Sequence, residues 1–256
     1  MNQYPKTQKY DQQWIQENWM GPNPLLLLEE LCGNLKLTPG MKVLDMGCGK
    51  GLTSVFLAKE FGVTVFANDL WIDPAENLER FEKAGVADKV FPIRAEAHAL
   101  PYANGFFDAA ISIDSYHYYG ADEMYFPCVF SKLVKTGGQF GIVTPGLTQE
   151  FENGYPPNMK QFWIKPSGDP SADASSAGEM FSFHSAAWWR KLWEKTGIVN
   201  ITSCYDIPNP KEIWYPWANW AKQNFKEKFG LESDDVEFLE ADTENQIALI
   251  VMTAVK

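Results

Sequence analysis

Short apolar runs separated by glycine- and proline-bearing turns recur through the first 144 residues of the chain. Lys42–Asp45, Val63–Ala67, Val90–Ala95, Phe107–Ile113 and Gln139–Thr144 are each the length and composition of a buried strand. Between them the apolar period lengthens to that of a helix. Leu52, Val55 and Phe56 recur at helical spacing within Gly51–Phe61, and Gly62 supplies a stop. Asp73-Pro74-Ala75-Glu76 is a helix start, with Asp as cap, Pro at the first position and Glu three after the cap, and the helix runs to Gly85. A further helix is expected near Asp122–Val134, where Pro127 either kinks it or marks its true start. Strands alternating with helices argue for a mostly parallel sheet with helices on both faces.

Two helical segments, near residues 8–19 and 23–33, precede the first strand and are broken by Gly21-Pro22-Asn23-Pro24. After the fifth strand the alternation stops. Residues 145–182 are rich in Gly, Pro, Ser and Asp, but Phe151, Tyr155, Phe162, Trp163 and Ile164 are too apolar for a solvated tether, so a lid or insertion is expected. A helix at Ser185–Thr196, a strand near Ile198–Tyr205, a helix around Trp214–Phe229 and a strand at Ile247–Val255 complete seven strands, the last two pairing at one edge. The chain divides as an N-terminal helical flap (1–40), a core (41–144), a lid or insertion (145–184) and the C-terminal part of the sheet (185–256).

Composition narrows the classes of function. A net charge of −11 with no Lys/Arg-rich run excludes a nucleic-acid partner from the expectations. No apolar run, the dense Leu25 to Leu28 included, approaches the about 20 residues a membrane span needs, and the first twenty residues lack a basic start leading into an apolar stretch. The four cysteines are scattered and the histidines number three, so no metal site is expected and the thiols read as reduced and cytoplasmic. The expected partner is a small molecule, with no stable membrane association and a monomer or homodimer as the assembly.

The chemistry concentrates in Val43-Leu44-Asp45-Met46-Gly47-Cys48-Gly49-Lys50-Gly51. A strand that ends in a glycine-rich turn opening a helix is a nucleotide-binding device: the glycines let the backbone approach a ligand, and free N–H groups at the helix start attract an anion. Leu52 stands where a dinucleotide fingerprint has its third glycine, and Asp45 at the mouth of the turn repels a pyrophosphate. S-adenosylmethionine has no phosphate and carries an ammonium and a sulfonium, so it is favoured over NAD. Asp69, 24 positions beyond Asp45 at the end of the next strand, stands where a carboxylate accepts from both ribose hydroxyls; as a lone residue it reads equally as a turn or cap residue. Trp71 offers an apolar face for adenine.

Ala95-Glu96-Ala97-His98-Ala99-Leu100-Pro101-Tyr102, followed by Phe106-Phe107-Asp108, resembles the "A-D-A-x-x-L-P-F … F-D" signature of class I S-adenosylmethionine-dependent methyltransferases. The glycine turn resembles their "V-L-D-x-G-C-G-x-G", and Leu133-Val134-Lys135-Thr136-Gly137-Gly138 their "L-K-P-G-G". The resemblance covers about residues 41–144 and implies a Rossmann-like, seven-stranded, mostly parallel sheet in one methyltransferase domain. It implies that Gly47, Cys48 and Gly49 lie against the methionine portion of S-adenosyl-L-methionine, that Asp45 supports its amino group directly or through water, and that Asp69, with Leu70 and Trp71 after it, binds ribose and adenine. Glu96 takes the family's aspartate position and, beside Ala97, meets the adenine amino group; it is one methylene longer. Thr136 replaces the common proline.

Ser112-Ile113-Asp114-Ser115-Tyr116-His117-Tyr118-Tyr119-Gly120 closes the buried fourth strand at the carboxyl edge, where open α/β sheets place ligands. In the resembled family this stretch borders donor and acceptor. Asp114 is a candidate contact to either, Tyr116 a candidate catalytic side chain, and His117 a candidate base, its ordinary pKa suiting proton transfer, against the alternative that it simply packs. Methyl transfer mainly requires alignment and exclusion of water, so aromatic walls are expected. Tyr10, Trp14, Trp19, Tyr118 and Trp163 are the candidates, the first three equally readable as anchors of the N-terminus. Trp193 follows Trp189 at helical spacing, which marks a core face, and His184 with Trp188-Trp189 is assigned no catalytic part. The leading expectation is in-line methylation of a small molecule at N, O or S. Alternatives are carbon methylation of the cyclopropane fatty acid synthase type and a non-catalytic S-adenosylmethionine-binding protein.

Overall fold

The strand expectations translate into one seven-stranded sheet in the order β3-β2-β1-β4-β5-β7-β6. The computed structural model describes residues 3–151, 154–163, 179–230 and 232–256. The strands are β1 (Lys42–Met46), β2 (Thr64–Asp69), β3 (Val90–Arg94), β4 (Phe107–Ile113), β5 (Val134–Leu147), β6 (Asn200–Asp206) and β7 (Ile247–Val255). β1 pairs in parallel with β2 and β4, while β7 lies antiparallel between β5 and β6. The chain reverses direction in strand order beside β1, so the carboxyl ends of β1 and β4 open a crevice at the switch point.

The side-chain alternation of β1 decides what faces what. Val43 joins the core built by α1 (Gln12–Asn18), α2 (Pro24–Cys32), α3 (Leu52–Phe61) and α4 (Pro74–Ala84), whereas Leu44 and Met46 join the core on the opposite face. With a period of two, Asp45 falls on the α3 side. The second core is aromatic. Trp193 of α8 (Ala186–Glu194) stacks on Phe126 at 4.2 Å and meets Phe140 and Tyr116 edge-on.

Three segments depart from expectation. The helix near Asp122–Val134 is replaced by α5 (His117–Gly120), a π-helical turn at Phe126–Phe130 and α6 (Ser131–Leu133). Pro127 has no N–H to donate, and the wider turn buries Phe126 and Phe130 together. β5 begins at Val134 rather than Gln139, because Val134 already pairs with Phe107 before a register shift at Lys135–Gly138. After α7 (Lys160–Trp163), part of the expected lid falls among residues 164–178, outside the described ones. Near the C-terminus, α9 (Pro210–Phe229) starts a turn before Trp214, with Pro210 in its first turn, and α10 (Asp235–Ala241) was not anticipated. Among the described residues no helix is long and apolar enough to cross a membrane.

Candidate functional site

The glycine turn is wired to β2 atom by atom. Gly47 N and Cys48 N donate to Asn68 O at 2.8 and 3.1 Å, and Gly49 N donates to Asp69 Oδ2 at 2.8 Å. On the far side Asn77 Nδ2 donates to Gly49 O at 2.8 Å, and Arg80 Nη1 holds Asn77 Oδ1 at 2.8 Å. The amides expected to await an anion are therefore committed to the chain's own acceptors, a correction that follows from β2 lying beside β1 with its carbonyl end and carboxylate at the same edge. Gly47 is required by space as well as by positive φ, and Gly49 by positive φ with a tight neighbour. A Cβ on Gly47 would sit 1.9 Å from Ser115 Oγ, and one on Gly49 would sit 3.1 Å from Met20 Sδ.

Asp45 is 1% exposed beneath the start of α3, where Thr53 Oγ1 and Ser54 Oγ donate to its Oδ2 at 2.6 and 2.5 Å. The carboxylate is itself the anion at that helix terminus. Its Oδ1 is buried with no hydrogen-bond partner among the described residues. Burial pushes the carboxyl up to about 6, against the two hydroxyls that pull it down. Asp69, at the tip of β2, accepts at Oδ1 from Trp71 N and Ile72 N at 2.8 and 3.0 Å, in addition to Gly49 N at Oδ2. Three donors leave lone-pair capacity on a carboxylate that can accept about four. Cys48 is buried behind the turn, and burial drives its thiol well above the ordinary range.

From the other side β4 and the turn after it contribute a polar brace. Ser112 Oγ donates to Met46 O at 2.8 Å, and Tyr119 OH lies 2.9 Å from Ser112 Oγ and 3.3 Å from Met46 O. Asp114 follows with φ of 53°, a sparsely occupied conformation for a non-glycine residue and one that clusters at functional sites. Gly21 backs onto it: a Cβ there would fall 1.9 Å from Asp114 Oδ2. His117 is buried, 4.2 Å from the Tyr118 ring and edge-on to Phe183 at 5.7 Å. Tyr116 is 0% exposed among Tyr119, Tyr125, Phe130, Trp189 and Trp193. That placement corrects its catalytic expectation: the side chain turns into the aromatic core because that face needs volume.

Around the mouth, Trp71 and Tyr118 are exposed and meet edge-to-face at 5.6 Å, with Leu70 exposed beside them. Ala97 is buried. Glu96 binds His98 through backbone N at 2.8 Å and ring Nδ1 at 2.9 Å; burial tends to raise its carboxyl, but these bonds hold it below the usual range.

The N-terminal aromatics are anchors, which corrects their expected place in a pocket wall. Tyr10 stacks on Trp14 at 5.8 Å and packs on Phe56 of α3 at 5.6 Å, while Trp19 inserts edge-on against Trp217 and Trp220 of α9. The apolar outer face of α3 needs a cover, and these rings provide it. What reaches the crevice is the next pair, Met20-Gly21. The side chain of Trp163 lies outside the described positions. A cavity of about 400 Å³ opens beyond β5, lined by Thr148, Asp206, Asn209, Lys211 and Glu212 among others, and includes none of the residues singled out from sequence. Among the described residues no group of three His, Cys, Asp or Glu is placed to hold a metal.

Residues 43–138 match a family model described as a methyltransferase domain. A methyltransferase from Streptomyces halstedii, GfsG, is 36% identical over 90 residues, covering 35% of this chain and 32% of that protein. The sarcosine/dimethylglycine N-methyltransferase of Aphanothece halophytica is 28% identical over 129 residues, covering 50% and 46%. The chain thus spans less than half the length of these relatives. In structure, Haemonchus contortus phosphoethanolamine N-methyltransferase 2, solved with phosphomonomethylethanolamine and S-adenosylhomocysteine, superposes with a TM-score of 0.71 at 21% identity, covering 100% of this chain and 59% of that one, a likeness of fold.

Proposed function

We propose, from the premise that this chain is a member of the S-adenosylmethionine-dependent methyltransferase family through its domain at residues 43–138, that it transfers a methyl group from S-adenosyl-L-methionine to a small-molecule acceptor. One observation carries the reading: a glycine turn without room for Cβ atoms lies between two strand-end carboxylates, of which Asp45 keeps a buried oxygen without a partner and Asp69 keeps capacity for a hydroxyl donor. These residues fit the donor. Asp45 would face its ammonium directly or through water, Asp69 the ribose hydroxyls, and Trp71 the adenine, with Glu96 at the far end. When bound, the donor supplies a methyl group already activated on a sulfonium.

The protein's own part is alignment and exclusion of water. Met20 of the N-terminal segment lies against Gly49 and Ser115 of the turn after β4 against Gly47, so the two segments would wall the donor in from opposite sides. Asp114 and His117, carried by the end of β4, line the acceptor side.

Incubating the protein with donor labelled on the methyl carbon and a fractionated metabolite extract tests the activity. The expected result is label in a small molecule, lost with Asp69→Ala. Label retained wholly in the donor, with the donor demonstrably bound, would instead indicate a binding protein.

A further inference from the structure

Glu150 and His184 form a polar pair outside the donor crevice. Glu150 Oε2 lies 3.0 Å from His184 Nδ1, and Glu150 Oε1 accepts from Ser185 N at 2.6 Å. The imidazole lies flat on Trp188, centroids 3.6 Å apart and planes 7° apart, with Trp189 edge-on at 6.1 Å. A carboxylate on one ring nitrogen and an indole under the face fix the orientation of the ring. In the neutral ring this arrangement puts the proton on Nδ1, toward Glu150, and leaves Nε2 as the acceptor.

The topology places the segment that carries His184 beyond the tip of β4. β4 stops at Ile113, and Asp114 N donates to Val143 O. β5 continues to Leu147, whose N donates to His184 O, and Leu147 bridges Ser185 in parallel. Because Thr148 N turns the other way, to Gln246 O on the β7 side, the Phe183–Ser185 segment occupies the lane of β4 roughly 10 Å beyond its tip, at about 3.3 Å per residue. Phe183 in turn packs on His117. The segment therefore overhangs the loop that begins with Asp114.

We infer that Glu150 and His184 are the proton-accepting pair for the methyl acceptor, and that the acceptor is a primary or secondary amine arriving as its ammonium. The inference rests on the methyltransferase reading above. One N–H bond of the ammonium breaks, its electron pair stays on nitrogen as the lone pair needed for attack, and the proton bonds to Nε2. The imidazolium so formed faces Glu150, which neutralises it. An ammonium suits the surroundings, since Asp69, Asp114 and Glu150 bring carboxylates to this edge. Glu150 follows β5 and faces His184, and His117 lies across Phe183, while Arg190 of α8, paired with Glu194 at 3.2 Å, and Cys204 of β6, against Ala186, are the other titratable or charged groups on the neighbouring elements.

Because Glu150 also pins the start of α8, the test reads the imidazole itself. Proton–nitrogen correlation spectra of the full chain, labelled on its three histidines, resolve His184 by comparison with His184→Gln. The expected spectrum shows the Nδ1–H tautomer, and sarcosine or ethanolamine shifts the Nε2 signal saturably while ethylene glycol and acetate do not. Glu150→Gln should mix the tautomers and shrink the amine-induced shift. An Nε2 signal indifferent to both amines, an equal response to ethylene glycol, or a Glu150→Gln protein unchanged in tautomer and response overturns the inference. Donor affinity by calorimetry should be the same in His184→Gln and wild type; its loss in His184→Gln contradicts an acceptor-side role. A wild-type protein that binds no donor sinks the methyltransferase reading, whereas the amine titration still judges His184 separately.

Discussion

Asp69 carries two loads, one structural and one proposed. Its three amide bonds hold the glycine turn and the start of the β2 loop, and its remaining lone-pair capacity faces the expected ribose. Asp69→Ala should weaken donor binding by about 1–3 kcal/mol, the range for lost charge-assisted hydrogen bonds. Asp69→Asn, which keeps acceptor capacity toward the amides, should fall between the two in calorimetry. Asp45 is tuned the other way. Its folded carboxyl lies near 6, above its ordinary value of 3.8, so folding favours proton uptake there relative to the unfolded chain. That contribution is full below about pH 4 and disappears as pH rises through about 6. Wild type should therefore lose on the order of 2–3 kcal/mol across this window relative to Asp45→Asn. Denaturant titrations of both proteins over the window measure the difference, which at neutral pH should leave Asp45→Asn the more stable protein and the poorer donor binder. Glycine spacing and strand-end carboxylates were legible along the chain because their meaning is local. Asn77, Asn68, Ser112 and Tyr119 were not, since each acts on backbone brought near only by folding, and Tyr116 was misplaced because short-range sequence does not say which face a turn presents.

At the scale of elements the N-terminal segment repays close reading. Its rings bind α3 and α9, and its Met20-Gly21 corner reaches over the glycine turn. Gly21→Ala pushes a methyl carbon into Asp114 Oδ2. The corner should lift, and amide hydrogen exchange over residues 12–24 should rise as donor affinity falls. Exchange identical to wild type would show that the corner is not seated on Asp114. Two helical segments broken at Gly21-Pro22-Asn23-Pro24 were readable from the sequence. Which rings pack and which reach the site was not, because aromatic residues suit either role. The first turn of α9 lies ahead of the expected start near Trp214, where Asn209-Pro210 is the local start signal.

Over the whole molecule, the site and the aromatic core divide the sheet. Trp193 is 0% exposed and touches Phe126, Phe140, Phe130 and Tyr116, on the face opposite α3. Trp193→Ala should cost about 3–5 kcal/mol and lower the melting temperature by roughly 10 °C in a scanning experiment. The folded fraction should keep its donor affinity. Seven strands with the last two paired at an edge could be counted from apolar runs, whereas the reversal beside β1 and the insertion of β7 between β5 and β6 are long-range pairings that periodicity does not encode. The account stands on the crevice at that reversal, so the most direct measurement is a calorimetric titration of the wild-type chain with S-adenosylhomocysteine and, separately, with NAD. The account predicts saturable heat with the first, reduced by Asp69→Asn, and none with the second. Saturable binding of NAD, or no heat with S-adenosylhomocysteine, would contradict it.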